Sequence, residues 1–191
     1  MTARGRRQMC ADWICWSYSD TSRSRPLRVG SMSKTVAVEF GGRWFWAYDV
    51  SLGILLLEAI RIAVQALPEQ RPPQAEAVLE DLRTHIRVGA SFAFLLDADD
   101  WDEWQRSYAR SIIAEAGRRL RERGMITSTE AAQRYMIDGA PYFLRGHEQI
   151  DGAVVADLAE AIERLIQDEL PPVPVTDRHW FFGVDGGPRA L

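Results

Sequence analysis

The chain has 191 residues, of which 47% are hydrophobic and 26% charged, a composition typical of one globular domain. Its two cysteines, Cys10 and Cys15, are too few for a disulfide framework and have no nearby histidine with which to bind zinc. No stretch is apolar over the ~20 residues that a bilayer requires, and the N-terminus does not follow the pattern of a signal peptide. We therefore expect a cytoplasmic protein without cofactor, metal or membrane contact.

The charge is distributed unevenly along the chain. Residues 1–31 hold six arginines and two acidic residues, a net charge of +4, whereas the rest holds 17 basic and 25 acidic residues, a net charge of −8. The acidic body disfavours nucleic acid and favours either solubility or a partner that is basic. Residues 1–31 lack an apolar period and are interpreted as a disordered basic arm. We hypothesise that Met32 is the native start, which the intact mass of the native protein tests.

The first predicted elements are two strands of a hairpin. Apolar residues alternate over Thr35–Phe40, and aromatic residues alternate after Gly41-Gly42. A tight type I′ turn needs positive φ at both central residues, which glycine adopts readily, so this pattern predicts a β-hairpin. The second strand carries Trp44, Trp46 and Tyr48 on one face. We expect another element to cover that face.

Apolar residues at helical spacing predict four longer helices. Residues 52–66, capped by Asp49 or Ser51, are apolar almost all round, so this helix is expected at the centre of the fold. The others run over about residues 74–88, from the acidic residues after position 96 to Arg123, and from Asp151 to about Glu169.

Shorter elements lie between and after these helices. Ser91–Leu96 suits a strand or a helix, and the capping box that begins at Thr127 predicts a short helix ending near Asp138-Gly139. Prolines force an extended exit after the last helix, and His179–Val184 suits a final strand beside the hairpin. The sequence thus predicts a predominantly α-helical α+β domain, with four to five helices packed on a small sheet. Residues 32–175 form the globular part and residues 176–191 the extended C-terminal segment.

Common catalytic signatures, such as a phosphate loop or a nucleophile elbow, are absent from the sequence. The three histidines, His85, His147 and His179, belong to different predicted elements and are interpreted as ordinary side chains. Glu58 is the best candidate for a functional carboxylate, because burial raises the pKa of a carboxyl group that has no partner. We favour an ion pair with Arg61 on a thin exposed strip, since one carboxylate alone does not define a mechanism. No catalytic residue is assigned.

The densest charge feature lies at the start of the third long helix. It comprises Asp97, Asp99, Asp100, Trp101, Asp102, Glu103 and Trp104. Capping and the helix dipole account for acidic residues at this position, and the spacing of a calcium loop is lacking. The same segment is our candidate interface, because tryptophan is enriched at binding hot spots. Core packing of the two tryptophans is the alternative that we favour.

Two blocks of sequence resemble a known group of proteins. They are Trp44-Phe-Trp-Ala-Tyr-Asp-Val-Ser-Leu-Gly-Ile-Leu-Leu-Leu-Glu-Ala-Ile-Arg and Trp180-Phe-Phe-Gly-Val-Asp-Gly-Gly-Pro. Both are similar to segments of small actinobacterial proteins that accompany multi-gene conflict systems, including the CATRA-associated small proteins. The likeness spans about residues 35–188 and consists of aromatic packing motifs. It implies an accessory role that depends on a partner, and no active site.

Three functions follow from these observations. The leading one is a non-enzymatic protein-interaction component, an accessory or immunity-like protein of a bacterial conflict system. The second is an enzyme whose site assembles in space around Glu58, Asp49 or His179. The third is a DNA-binding regulator with a divergent helix-turn-helix near residues 127–145, although the acidic body disfavours it.

Overall fold

The computed structural model describes residues 34–65, 72–88, 93–96, 101–169, 171–174 and 179–182. The basic arm at residues 1–31, the acidic residues Asp97, Asp99 and Asp100, and the end of the C-terminal segment lie outside these ranges. The described residues form five helices and eight short strands, the mainly helical α+β fold that the sequence predicts.

The elements follow one another along the chain with these bounds. The helices are α1 (Asp49–Gln65), α2 (Pro73–Val88), α3 (Glu103–Arg123), α4 (Ser128–Arg134) and α5 (Gly152–Ile166). The strands are β1 (Thr35–Phe40), β2 (Arg43–Tyr48), β3 (Phe94–Leu95), β4 (Met125–Thr127), β5 (Met136–Ile137), β6 (Ala140–Pro141), β7 (Gln149–Asp151) and β8 (Trp180–Phe181).

The main sheet is built on the predicted hairpin, in the order β3-β1-β2-β8. Gly41 and Gly42 have φ of +58° and +74°, which confirms the turn inferred from the sequence. The ambiguous apolar run before position 97 forms β3, which lies parallel to β1, and β8 pairs antiparallel with β2. The C-terminal segment therefore returns to the hairpin at Trp180 and Phe181.

The two faces of this sheet differ in burial. Val38 pairs with Phe45 and Ala47 pairs with Trp180, and all four side chains are buried. The opposite face carries the three aromatics of β2, where Trp44 packs on Trp46 and Tyr48 packs on Phe181. All three side chains stay half-buried. The alternation of inward and outward residues thus places the domain core on one side of the sheet.

Helix α1 lies at the centre of the core, as its apolar sequence predicts. Every residue from Asp49 to Ala59 is buried, because α2, α3, α5 and the sheet all contact this helix. A helix surrounded in this way can include a polar side chain only if that side chain finds partners inside the fold. Glu58 is such a residue.

Helices α3 and α5 pack closely because small residues face each other. A Cβ built on Gly117 of α3 would lie 2.6 Å from the Cβ of Ala159 on α5. Real Cβ atoms do not approach so closely, so a larger side chain at position 117 would force the helices apart.

Three sequence predictions need correction. Helix α3 begins after Asp102, whose side chain accepts a hydrogen bond from the Gln105 backbone at 2.8 Å. Trp104 was expected on the buried side of this helix, but it is 40% exposed and stacks on Tyr108. Helix α5 ends at Ile166 rather than near Glu169.

The fourth correction concerns the segment after α4. Helix α4 ends at Arg134, and the chain continues into the β5–β6 hairpin instead of remaining helical to Asp138-Gly139. Asp138 and Gly139 have φ of +49° and +82°, so this pair makes a hairpin turn rather than a helix end. We name residues 134–145 the clamp segment, because its side chains bind α1 and α2.

Replacing Gly117 by Val tests the close packing of α3 and α5. We expect the free energy of unfolding to fall by about 1–3 kcal/mol, because the added methyl groups have no space. Urea denaturation followed by circular dichroism measures it. The matched control is Ser111→Val on the exposed side of the same helix, where we expect a change within about 0.5 kcal/mol. Equal losses in both variants would contradict the close approach.

Candidate functional site

Glu58 is buried with no exposed side-chain surface, and three side chains donate hydrogen bonds to its carboxylate. Arg61 donates from Nη2 at 2.5 Å and Arg134 donates from Nη2 at 3.1 Å, both to Oε1. The Tyr135 hydroxyl donates to Oε2 at 3.0 Å. The pair with Arg61 is therefore present, but it lies inside the protein rather than on an exposed strip.

The charge state of Glu58 follows from these partners. Burial on its own raises the pKa of this carboxyl group, but hydrogen bonds and positive charge from Arg61 and Arg134 outweigh it and lower the pKa to about 2. Burial and the neighbouring Glu58 carboxylate raise the pKa of the Tyr135 hydroxyl, which stays protonated and keeps donating. The cluster is a closed ionic network, which is suited to holding the fold and not to exchanging protons with a substrate.

A second polar cluster joins the clamp segment to the start of α1. Arg145 donates to Oδ2 of Asp49 at 2.5 Å, and the backbone N–H of Lys34 donates to Oδ1 at 3.1 Å. The Tyr142 ring lies against Gly53, where any Cβ would be 2.1 Å from the tyrosine hydroxyl oxygen. Glycine at this position therefore makes the space that the clamp segment occupies.

Ser51 and His179 are brought together although 128 positions separate them in the chain. The Ser51 hydroxyl lies 2.7 Å from Nδ1 of His179, next to the pairing of β2 with β8. Ser51 is 3% exposed, so a substrate cannot reach its hydroxyl. This contact fixes the C-terminal strand rather than preparing a nucleophile, which needs access as well as a base.

His85 lies on α2 beside a cavity of about 20 Å³, which also borders Asp49, Tyr142 and Arg145. That volume suits one water molecule. Burial lowers the pKa of His85 to about 4, and the ring packs on Phe94 with 4.6 Å between centroids. The space is too small for a substrate, so His85 acts as a packing residue.

A larger groove of about 310 Å³ lies between α1, α2 and β5. Its apolar lining comes from Leu57, Ile60, Ile86, Met136 and Ile137. The volume is at the lower end of the range of about 300–1,000 Å³ for ligand pockets. Met136 on the clamp side is 50% exposed, so this apolar wall faces solvent.

Ion pairs form the rim of the groove. Arg87 binds Asp138 with three hydrogen bonds of 2.9, 3.0 and 3.3 Å and binds Glu80 at 2.7 Å. Arg83 binds Glu76 at 2.7 Å and Glu80 at 3.4 Å. The contact between Arg87 and Asp138 ties the turn of the clamp segment to α2, whereas the other ion pairs lie within α2 itself. Because each of these arginines is already paired, the rim does not hold a free cation for a polar substrate.

The described part of the predicted acidic interface is divided between core and surface. Trp101 is 4% exposed and donates its indole N–H to Oδ2 of Asp81 at 2.6 Å, so it is a core residue. Asp102 caps α3, and Glu103 lies in the first turn of that helix. Trp104 alone of the two tryptophans presents its ring to solvent. Asp97, Asp99 and Asp100 lie outside the described residues, so a contact surface there stays a prediction.

The described residues form neither a helix-turn-helix nor a cluster of metal ligands. Residues 135–151 contain the β5–β6 hairpin and β7 and no second helix, so α4 lacks the recognition helix of a helix-turn-helix. Across the described ranges, no group of three or more histidine, cysteine or acidic side chains could hold a metal ion. No helix in those ranges is long and apolar enough to cross a membrane.

Comparison with known proteins adds no identification. No family model matches the chain, and neither the curated proteins nor the solved structures contain a significant match.

Sequence reasoning missed the groove. Its lining comes from two helices and a strand that was expected to be helical, so no single stretch of sequence contains it. One available signal was Met136-Ile137 directly before Asp138-Gly139, because an apolar pair before such a dipeptide favours a hairpin.

Replacing Glu58 by Gln tests the structural role of the ionic network. We expect the free energy of unfolding at neutral pH to fall by ~3 kcal/mol, because two arginines lose their shared counter-charge. A carboxyl group whose pKa is lowered by folding stabilises the protein at any pH above its pKa in the unfolded chain. That contribution is lost as the pH falls towards about 2, the pKa of Glu58 in the folded protein. The difference between variant and wild type should therefore narrow between about pH 5 and pH 2 in urea denaturation.

Glu115→Gln provides the matched control. Glu115 also binds two arginines, Arg118 and Arg119, and its pKa is likewise lowered to about 2, but its side chain is 31% exposed. Solvent screens the contacts of Glu115 with its two arginines, so we expect a much smaller loss of stability for Glu115→Gln than for Glu58→Gln. Equal losses at positions 58 and 115 would show that burial of the network is irrelevant.

Proposed function

We propose that this chain is a non-enzymatic protein-interaction component and that the groove between α1, α2 and β5 is its binding surface. The observation that carries the proposal is an apolar, solvent-facing groove whose charged rim is already paired. Such a surface is suited to apolar anchor side chains of a protein partner, which bury their surface without needing a new polar contact.

The polar groups of the described residues support this proposal over an enzyme. Within the described ranges, Trp44 Nε1 is the single buried side-chain nitrogen or oxygen without a hydrogen-bond partner, and Trp44 does not line the groove. Glu58 is closed off by its donors, Ser51 is inaccessible, and His85 borders a water-sized cavity. A catalytic site requires a reactive group that a substrate can reach.

The biological role proposed for this interaction rests on the resemblance of the two aromatic sequence blocks, at Trp44 and Trp180, to small actinobacterial proteins. Proteins of that kind accompany multi-gene conflict systems, so we propose an accessory or immunity-like role in such a system. The net charge of −8 over residues 32–191 supports a basic partner, since opposite charges accelerate association.

Two methionine variants test whether the groove binds the partner. Met136→Glu places a charge on the groove wall, whereas Met125→Glu places the same charge on β4, outside the groove lining. The two side chains are 50% and 47% exposed, so neither substitution should unfold the domain. We expect affinity capture from the native host to lose a stoichiometric partner with Met136→Glu and to keep it with Met125→Glu.

Circular dichroism and thermal denaturation of both variants provide the folding control. A partner that binds both variants equally would exclude the groove as the interface. Turnover of a small-molecule substrate that Met136→Glu abolishes would instead support an enzyme.

A further inference from the structure

We infer that Asp138-Gly139, the turn of the clamp segment, is a site of aspartyl isomerisation and that Arg87 controls the rate of this reaction. Isomerisation converts an aspartate into isoaspartate, in which the main chain continues through the side-chain carboxyl group. This covalent modification is separate from the proposed binding function, and it needs only water and the two residues of the turn.

The turn leaves both reacting groups accessible. Asp138 and Gly139 are the two central residues of a tight hairpin, with φ of +49° and +82°. Both residues are exposed, and the Asp138 side chain is 61% exposed. No group in the described ranges accepts a hydrogen bond from the Gly139 amide, and a Cβ built on this glycine meets nothing within 4 Å. The amide nitrogen is therefore open to the carboxyl group of its neighbour and to water.

The reaction proceeds through a cyclic imide. The amide nitrogen of Gly139 attacks Cγ of Asp138, and the carboxyl hydroxyl leaves as water together with the amide proton. Water then adds to one of the two ring carbonyls. Cleavage of the bond from nitrogen to Cγ restores aspartate, whereas cleavage of the bond from nitrogen to the backbone carbonyl carbon yields isoaspartate. The mass of the chain is unchanged, and no oxidant or reductant takes part.

Arg87 opposes the first step of this reaction. Its guanidinium donates three hydrogen bonds to the Asp138 carboxylate and thereby lowers the pKa of that carboxyl group. Since the hydroxyl leaves from the protonated acid, the ion pair reduces the population of the reactive form. The same hydrogen bonds hold the carboxyl group against α2. The pair is exposed to solvent and opens readily, so it slows the reaction rather than preventing it.

A second Asp-Gly pair, Asp151-Gly152, lies in a contrasting position at the start of α5. Gly152 is buried, and its amide donates to the Gly124 carbonyl at 2.8 Å. The Asp151 carboxylate accepts a hydrogen bond from the Ala153 amide at 2.9 Å. Both reacting groups are thus engaged, so the folded structure protects this pair. The third pair, Asp185-Gly186, lies outside the described residues.

Isoaspartate at position 138 would alter the wall of the groove. The main chain of the turn gains one atom, and a two-residue hairpin loop sets the register of the strands that it joins. Ile137, which lines the groove, pairs with Ala140 across this loop. The free carboxylate also moves to Cα, away from the position that Arg87 binds. The modified turn therefore loses both the geometry and the ion pair that fasten it to α2.

Peptide mapping by mass spectrometry tests the inference on the full chain. Folded protein is incubated in mildly acidic buffer at physiological temperature, and electron-transfer fragmentation distinguishes the two isomers of equal mass at each Asp-Gly pair. A sample unfolded in guanidinium chloride gives the intrinsic reactivity of each pair. Arg87→Gln removes the contact with Asp138. Arg83→Gln is the matched control, because Arg83 lies on the same helix and binds Glu76 and Glu80 instead.

In the folded wild type we expect isoaspartate to form at least about fivefold faster at position 138 than at position 151, where the amide is committed to a backbone acceptor. In the unfolded sample the two pairs should react at comparable rates. Arg87→Gln should raise the rate at position 138 by at least about threefold, because more of the carboxyl group takes up a proton. Arg87→Lys, which keeps a cation, should react more slowly than Arg87→Gln, and Arg83→Gln should match the wild type.

Equal rates at positions 138 and 151 in the folded protein would overturn the assignment of the site. An unchanged rate in Arg87→Gln, or an equal rise in Arg83→Gln, would contradict the control assigned to Arg87. A rise at both positions in Arg87→Gln would attribute the effect to general unfolding, which circular dichroism of the variant detects independently. A lysine variant that reacts as fast as the glutamine variant would contradict the role of the positive charge.

Discussion

A carboxylate without solvent exposure must be neutralised where it lies, and Glu58 imposes that constraint on this fold. Its neighbour Arg61 is available within the same helix, but the second arginine and the tyrosine come from 76 and 77 positions further along the chain. The start of the clamp segment is therefore fixed against the middle of α1. Leaving Glu58 without these donors would cost more free energy than most single contacts in the domain contribute.

The groove is a consequence of that attachment. Once Arg134 and Tyr135 are bound to Glu58, the next two residues, Met136 and Ile137, stand beside α1 and opposite α2. The pairing of Asp138 with Arg87 then closes one part of the rim, and Arg145 with Asp49 holds the far end of the segment. The buried charges thus position an apolar surface, and this surface, rather than the charges, is suited to binding.

Much of the fold could be predicted because local signals decide it. The glycine pair specifies the hairpin turn, the nearly uninterrupted apolar sequence makes α1 central, and Thr127 and Asp151 cap helices as expected. The site could not be predicted in the same way. The contact between Glu58 and Arg134 depends on tertiary packing, because the two residues are far apart in the chain. The Glu58–Arg61 pair was predicted from the sequence, but its position inside the protein rather than on an exposed strip was not. Helix α4 ends before the predicted Asp138-Gly139 because Tyr135 adopts an extended backbone, with φ of −112° and ψ of 124°. The positive φ of Asp138 and Gly139 then makes a hairpin turn where a helix end was predicted.

Hydrogen–deuterium exchange of Glu58→Gln tests most directly whether the buried carboxylate holds the groove wall in place. If Glu58 fastens the clamp segment, amides over residues 134–145 should exchange markedly faster in the variant, while α3 and α5 keep their protection. Glu115→Gln should leave both regions unchanged. Unaltered exchange over residues 134–145, or a uniform increase over the whole domain, would contradict the role assigned to Glu58.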